Sequence, residues 1–218
     1  MWVTTDVIMN KLSDIHSRTI QVYQKHAHGW DEHRPRVFFE QHWLDKFISL
    51  LPVEGRVLDV GCGAGEPIAE YFIKHGFKLT GLDTSSNMLE ISRNRFPTAS
   101  WIEMDMRQLK LDTKFDGIVS WDGFFHLNPE EQRQTLVLFA EHLNSNGTLL
   151  LTIGHESGEV TGTVEGEKVY HSSLAPKEYK TILNTLGFDN VEIMLEDKNC
   201  GLHSILLAKR NDPHKIPT

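Results

Sequence analysis

The chain has 218 residues, in which 22 Lys and Arg stand against 30 Asp and Glu for a formal charge of −8 with the 12 histidines neutral. That length fits one large domain, and the acidic balance disfavours nucleic acid as a partner, because such binding draws most of its free energy from cations set on phosphates. Hydrophobic residues at 39% and charged residues at 24% exclude a disordered chain. No run approaches the ~20 apolar residues of a membrane span and no targeting pattern opens the chain. The two cysteines, Cys62 and Cys200, make neither a disulfide framework nor a zinc site, so a cytoplasmic protein is expected.

Residues 1–55 read as helices. Ile8, Leu12, Ile15 and Val22 share one face, Phe39, Trp43 and Phe47 recur every fourth residue after Pro35, and Gly29 marks the expected break between the two. From residue 56 short β-branched and aliphatic runs alternate with helical patterns. Strands are predicted at 57–60, 78–82, 100–103, 115–120 and 148–153, with helices between them. Pro67 opens the first of these helices and Gly76 stops it, Pro97 ends the second at 85–95, and Asn128-Pro129 caps the third. This alternation predicts right-handed crossovers and a doubly wound, mostly parallel sheet.

The segment 154–170 is rich in Gly and Glu and reads as a loop or hairpin outside the sheet, within an insertion that extends to 175. A helix from Pro176 to Gly187 follows, then strands at 188–196 and 204–209 that pair antiparallel through the turn at 199–201. The expected organisation is a single domain over 1–210, with a helical lid (1–55), a cofactor-binding core (56–153), the insertion (154–175), a C-terminal helix and strands (176–210), and a tail (211–218) without regular structure.

Asp59-Val-Gly61-Cys-Gly63-Ala-Gly65 follows a strand and precedes a helix, where a glycine-rich turn lets backbone approach a ligand. A tight turn without a ligand would look the same, but two details favour a site. Asp83 ends the second strand, where a carboxylate can accept both hydrogen bonds of a ribose diol. Glu66 stands where the dinucleotide fingerprint has its third glycine, so a nucleoside without a diphosphate fits better than NAD.

These residues resemble the S-adenosylmethionine-dependent methyltransferases of the Rossmann-like, seven-stranded fold. Val57-Leu-Asp-Val-Gly-Cys-Gly-Ala-Gly65 is similar to that family's first motif and Gly81-Leu-Asp-Thr-Ser-Ser-Asn-Met-Leu89 to its second. Asp105-Met106, Phe115-Asp-Gly-Ile-Val-Ser-Trp-Asp122 and the stretch 143–151 follow in order. The resemblance implies a seven-stranded sheet with an antiparallel C-terminal pair, an N-terminal helical lid, and S-adenosylmethionine as cofactor, released as S-adenosylhomocysteine. It implies that backbone groups of Gly61, Cys62 and Gly63, in the loop that ends at Gly65, line the methionine portion, with Asp59 supporting its amino group. Asp83, beside Thr84, would hold the ribose. Met88 would pack on adenine, unless it is simply a core methionine, and Asp105 with Met106 would read the adenine edge.

Tyr23 and Trp30 resemble lid residues that meet the cofactor, or else close the N-terminal helices onto the domain. Trp121 and Asp122 lie at the fourth strand's end, where Asp122 could touch cofactor or acceptor or cap the segment 124–127. His126 is the candidate general base, with loop positioning as the alternative. His171-Ser172-Ser173 could line an acceptor pocket, or Ser173 could cap the helix at Pro176. His26, His28 and His33 raise a metal question, but a solvated lid face is the expected reading and no metal is assigned.

The leading function is methyl transfer to a small-molecule acceptor, since only the flanks of the core remain to build an acceptor pocket. A protein or RNA acceptor and a non-catalytic S-adenosylmethionine-binding module are the alternatives, with an NAD(P) enzyme of the same fold behind them. No membrane partner is expected, and nothing in the sequence sets an oligomeric state.

Overall fold

The structure is a computed structural model that describes residues 5–34 and 37–211, with side chains from residue 11 onward. Pro35, the tail from 212 and the side chain of Ile8 lie outside what the structure describes. Two N-terminal helices, α1 (Thr5–His33) and α2 (Gln41–Ser49), precede the alternating core. This runs β1 (Arg56–Val60), α3 (Ile68–Lys74), β2 (Lys78–Asp83), α4 (Ser86–Arg95), β3 (Ser100–Glu103), β4 (Phe115–Ser120), α5 (Pro129–His142) and β5 (Leu143–Ile153). The hairpin β6 (Gly158–Val164) and β7 (Glu167–Ser173), helix α6 (Pro176–Thr185), and the strands β8 (Phe188–Asp197) and β9 (His203–Arg210) complete the chain.

The main sheet has seven strands in the order β3-β2-β1-β4-β5-β9-β8. The pairs from β3 through β5 are parallel, while β5 with β9 and β9 with β8 are antiparallel. Each face carries its own apolar layer. Leu58, Val60, Ile118, Leu149, Leu151 and Leu206 meet α5 and α6, whereas Val57, Val119, Leu150, Ile205 and Leu207 meet α2 and α3. Strand alternation assigns these faces, and it turns Asp59 toward the same side as Val57, into the layer with Phe47 and Phe72. Helix α5 starts from a capping box: Asn128 accepts from the amides of Glu130 and Glu131, and Glu131 returns to the Asn128 amide. Such a cap contributes about 1 kcal/mol and fixes where Glu131 stands.

Gly29 does not break α1, which runs through it; the non-helical residue is His26, at φ −104° and ψ 16°. The absence of a side chain at Gly29 instead admits the hairpin, since a Cβ there would lie 3.3 Å from the Glu165 carboxyl carbon. The Gly- and Glu-rich segment forms the separate two-stranded sheet β6–β7, with Val164 and Val169 packed on Val22. Ser173 does not cap α6: Ala175 holds that position, and the Ser173 hydroxyl bonds within the turn around Gly154, Leu174 and Tyr179.

Candidate active site

Strand order reverses at β1, which has β2 on one side and β4 on the other, and loops leaving such a point diverge and open a crevice at the carboxyl ends of the strands. Here the crevice is a cavity of about 550 Å³, lined by Gly61, Gly63, Asp83 and Trp121 from the strand ends and covered by α1.

The glycine loop is tied to β2. The amides of Gly61 and Cys62 donate to the Leu82 carbonyl at 2.7 and 3.1 Å, and that of Gly63 donates to Asp83 Oδ2 at 2.9 Å. Gly61 sits at φ +73° with the Gly123 Cα 3.3 Å from where a Cβ would be, so backbone alone fits between the two loops. Asp83 Oδ1 accepts the Ser85 amide at 2.8 Å. Burial pushes this carboxyl up while the amides hold it back. Each oxygen keeps a lone pair for a ligand hydroxyl.

Asp59 is 2% exposed and does not line the cavity. Its Oδ2 has no hydrogen-bond partner among the described residues. Burial raises its pKa to about 7, against the lowering influence of Arg34 and with a smaller upward push from Asp83. Cys62 and Gly65 also stand behind the wall. Burial pushes the Cys62 thiol well up, which leaves it protonated, and Gly65 packs under Phe96 and Trp101.

Thr84, Met88 and Met106 line the cavity, with Met88 buried against Ala27 and Ala64. Asp105 lines it too, but its carboxylate caps the 3-10 turn Met106–Gln108 and takes the Arg107 Nε at 3.0 and 2.9 Å. Arg107 bridges on to Glu131 at 2.7 Å, and Glu131 meets His16 of α1 at 2.9 Å. Burial opposes the Glu131 charge, yet the bonds from His16, Arg107 and Asn128 prevail and hold its pKa down at about 2.

On the other wall, His126 Nδ1 lies 2.8 Å from the Tyr170 carbonyl and Nε2 lies 2.9 Å from the Tyr23 hydroxyl. The carbonyl can only accept, so Nδ1 carries the hydrogen and Nε2 accepts from Tyr23. Burial lowers the His126 pKa to about 4, opposed by that backbone bond. Burial, with Asp122 and Asp83, pushes the Tyr23 phenol strongly up. Tyr23 also meets Trp30 edge-on at 5.6 Å. Asp122 is not the cap of the turn Phe124–His126, which Gly123 occupies. His171 packs on Phe125 and His126, and Ser172 bonds the Leu127 carbonyl, so these two brace the His126 loop from outside the cavity, while Ser173 bonds elsewhere. His26 and His33 pair with Glu167 and Glu165 of the hairpin.

The cavity also holds residues that sequence reasoning passed over: His16, Arg34, Arg107 and Glu131. Arg34 donates to the Glu66 carbonyl at 2.9 Å. Glu131 was legible only as a capping residue, and His16 only as one position on a helix face. Among the described residues no group of three His, Cys, Asp or Glu could hold a metal ion, and no helix is long and apolar enough to cross a membrane.

Residues 57–147 match the family model described as a methyltransferase domain. A putative methyltransferase, YqeM of Bacillus subtilis, is 32% identical over 102 residues, which span 45% of this chain and 40% of that protein. The dTDP-3-amino-3,4,6-trideoxy-alpha-D-glucopyranose N,N-dimethyltransferase of Streptomyces venezuelae is 35% identical over 105 residues, covering 47% of this chain and 44% of the relative. The chain thus spans less than half the length of these relatives. Among solved structures, S-adenosylmethionine-bound CalS10, an amino pentose methyltransferase from Micromonospora echinaspora, superposes with a TM-score of 0.66 at 19% identity, over 83% of this chain and 93% of that one. Residues 57–147 thus match a methyltransferase domain, and the seven-stranded sheet that contains them has the Rossmann-like fold of the methyltransferase structures it superposes on.

Proposed function

We propose that this chain binds S-adenosylmethionine in the cavity at the ends of β1, β2 and β4 and transfers its methyl group to a small-molecule acceptor by in-line displacement. The observation that carries the reading is the glycine loop whose Gly63 amide is held by Asp83, both facing one cavity inside the matched domain. The amino-sugar acceptors named for two of the similar proteins support a small acceptor.

The residues fit the cofactor. The free lone pairs of Asp83 suit a ribose diol, and Met88 and Met106 offer soft apolar contact to a base. Arg34 lines the cavity near the glycine loop, where a guanidinium suits a carboxylate. The buried, unpartnered Asp59 lies behind the same loop, where a cationic ligand would favour its ionised form. Asp105 can take an adenine amine once Arg107 leans wholly on Glu131, its second partner.

A bound sulfonium supplies an already activated methyl group. What remains for the protein is to orient the reacting groups and exclude water. Tyr23, Trp30 and Met88 close over the cavity as one apolar group from α1 and α4. The geometry favours His126 as the residue that positions Tyr23: its Nε2 is already engaged, and a ring with pKa of about 4 is a weak base at neutral pH.

The test is calorimetric titration with S-adenosylhomocysteine, followed by product release from S-adenosylmethionine in metabolite fractions. Asp83→Ala is expected to weaken binding by about 1.5–3 kcal/mol, the range for a lost hydrogen bond to a charged group. Tight NADH binding with no response to S-adenosylhomocysteine would overturn the reading.

A further inference from the structure

His203 opens β9, at the far end of the chain from the cofactor motifs, yet it reaches the cavity wall. Its Nε2 stands 3.1 Å from Asp122 Oδ1 and its Nδ1 2.8 Å from the Cys200 carbonyl oxygen. A carbonyl and a carboxylate only accept, so both ring nitrogens carry hydrogens and the ring is a cation. The ring is stacked on Phe39 at 5.4 Å and lies 5.7 Å from the Trp121 ring. Buried Glu40, ahead of α2, adds negative charge beside it.

Asp122 is fastened as firmly. It adopts φ +55°, a conformation non-glycine residues rarely hold, and its amide donates to Thr152 Oγ1 at 2.8 Å. With Oδ1 engaged by His203, its Oδ2 makes no hydrogen bond among the described residues, and the residue lines the cavity. Asp83 ends β2 and Asp122 follows β4, one strand to either side of β1. At the ~4.8 Å spacing of neighbouring strands, the two strands they follow stand about 10 Å apart with the glycine loop between them. If Asp83 takes the nucleoside end of a ligand, Asp122 meets its other end.

We propose that His203 is a positioning residue that holds Asp122 on the cavity wall as the acceptor for the α-ammonium group of the methyl donor. The proposal rests on the reading of the cavity as an S-adenosylmethionine site. It explains why a strained residue after β4 is braced by the next two strands of the sheet, through Thr152 of β5 and His203 of β9.

Two probes separate this role from a merely structural one. S-Adenosylhomocysteine carries the ammonium, while 5′-methylthioadenosine keeps the nucleoside and thioether and lacks the amino-acid end. His203→Phe keeps an aromatic ring against Phe39 and removes both N–H groups, and His203→Gln keeps one donor for Asp122. In His203→Phe, affinity for S-adenosylhomocysteine is expected to fall about 10-fold or more, as for a lost charged hydrogen bond, with 5′-methylthioadenosine changed less than about twofold. His203→Gln should recover part of the loss, and Asp122→Asn should reproduce the Phe pattern. Unchanged binding of S-adenosylhomocysteine to His203→Phe, or an equal loss for both probes, would overturn the proposal while leaving the cofactor reading intact. Failure of the unaltered protein to bind either probe would overturn that reading and this proposal with it.

Discussion

The wall of the cavity and its cover are held by different kinds of contact. In the wall, Asp83 grips Gly63 and Ser85, within 20 residues of itself, above two apolar layers of fully buried strand residues. In the cover, α1 is tied by polar contacts that reach far along the chain: Tyr23 to His126, Thr19 to Tyr170, His16 to Glu131, Lys25 and His26 to Glu167, Gln24 to Ser85, Ser86 and Asn87, and Asp31 to Arg95. The Lys25–Glu167 pair is exposed, and such pairing is worth little in water. The lesson is that the wall is set by bonds between chain neighbours, whereas its cover depends on contacts with elements far along the chain.

The largest expected effect sets Asp59, behind the wall, against His126 under the cover. The folded pKa of Asp59, about 7, lies above its ordinary 3.8, so its contribution to stability is complete below about pH 4 and is lost as pH rises toward 7. His126 shows the reverse, because about 4 lies below its ordinary 6.5: its contribution is complete above 6.5 and is lost as pH falls toward 4. Each shift corresponds to about 3–4 kcal/mol at 1.36 per pH unit, and in the unaltered protein they largely cancel across this window. Asp59→Asn should therefore raise stability at pH 8 far more than at pH 4, and His126→Gln should reduce acid sensitivity. Melting curves from pH 4 to 8 check both, and pH-independent differences would show that neither group is desolvated.

A smaller effect is expected where the cover meets His126. Tyr23→Phe leaves His126 Nε2 without its donor, a loss of about 1–2 kcal/mol. In turnover with any acceptor found, kcat should fall more than cofactor affinity, because on the proposed reading Asp83 would still hold the nucleoside. An equal fall in both would place Tyr23 on the cofactor itself.

The smallest concerns the latch. Glu167→Gln removes the pairing with Lys25 and His26 at the hairpin turn, and global stability should change little, since exposed pairs contribute little in water. Amide hydrogen exchange in α1 should nevertheless quicken while β1 and β4 stay protected. Uniform protection after the substitution would mean that the apolar contact of Val22 with Val164 and Val169 holds the lid unaided.

Much of the wall could be read from the chain. The glycines, Asp83 and the alternation of strand and helix are local signals, because a turn, a cap or a buried strand constrains residues next to each other. The hairpin was legible as an excursion but not as a clamp, since Gly29 looks like a helix breaker until Glu165 is seen filling the space it leaves. Asp105 read as a free carboxylate, yet Arg107, two residues on, already occupies it. His203 was invisible as a site residue: 81 positions separate it from Asp122, and only the antiparallel pairing of β9 with β5 brings them together.

Periodicity, caps and the glycine loop sufficed to specify a doubly wound sheet and a ligand cradle at the end of β1, because those features arise from hydrogen bonds and burial within about one supersecondary unit. The tautomer of His126, the charge of His203, the unpartnered oxygen of Asp59 and the Arg107–Glu131–His16 chain arise from groups that meet only after the sheet has closed. Protonation and hydrogen-bond direction depend on burial and on which acceptors face which donors, and that information exists only once distant strands and the N-terminal helix have packed.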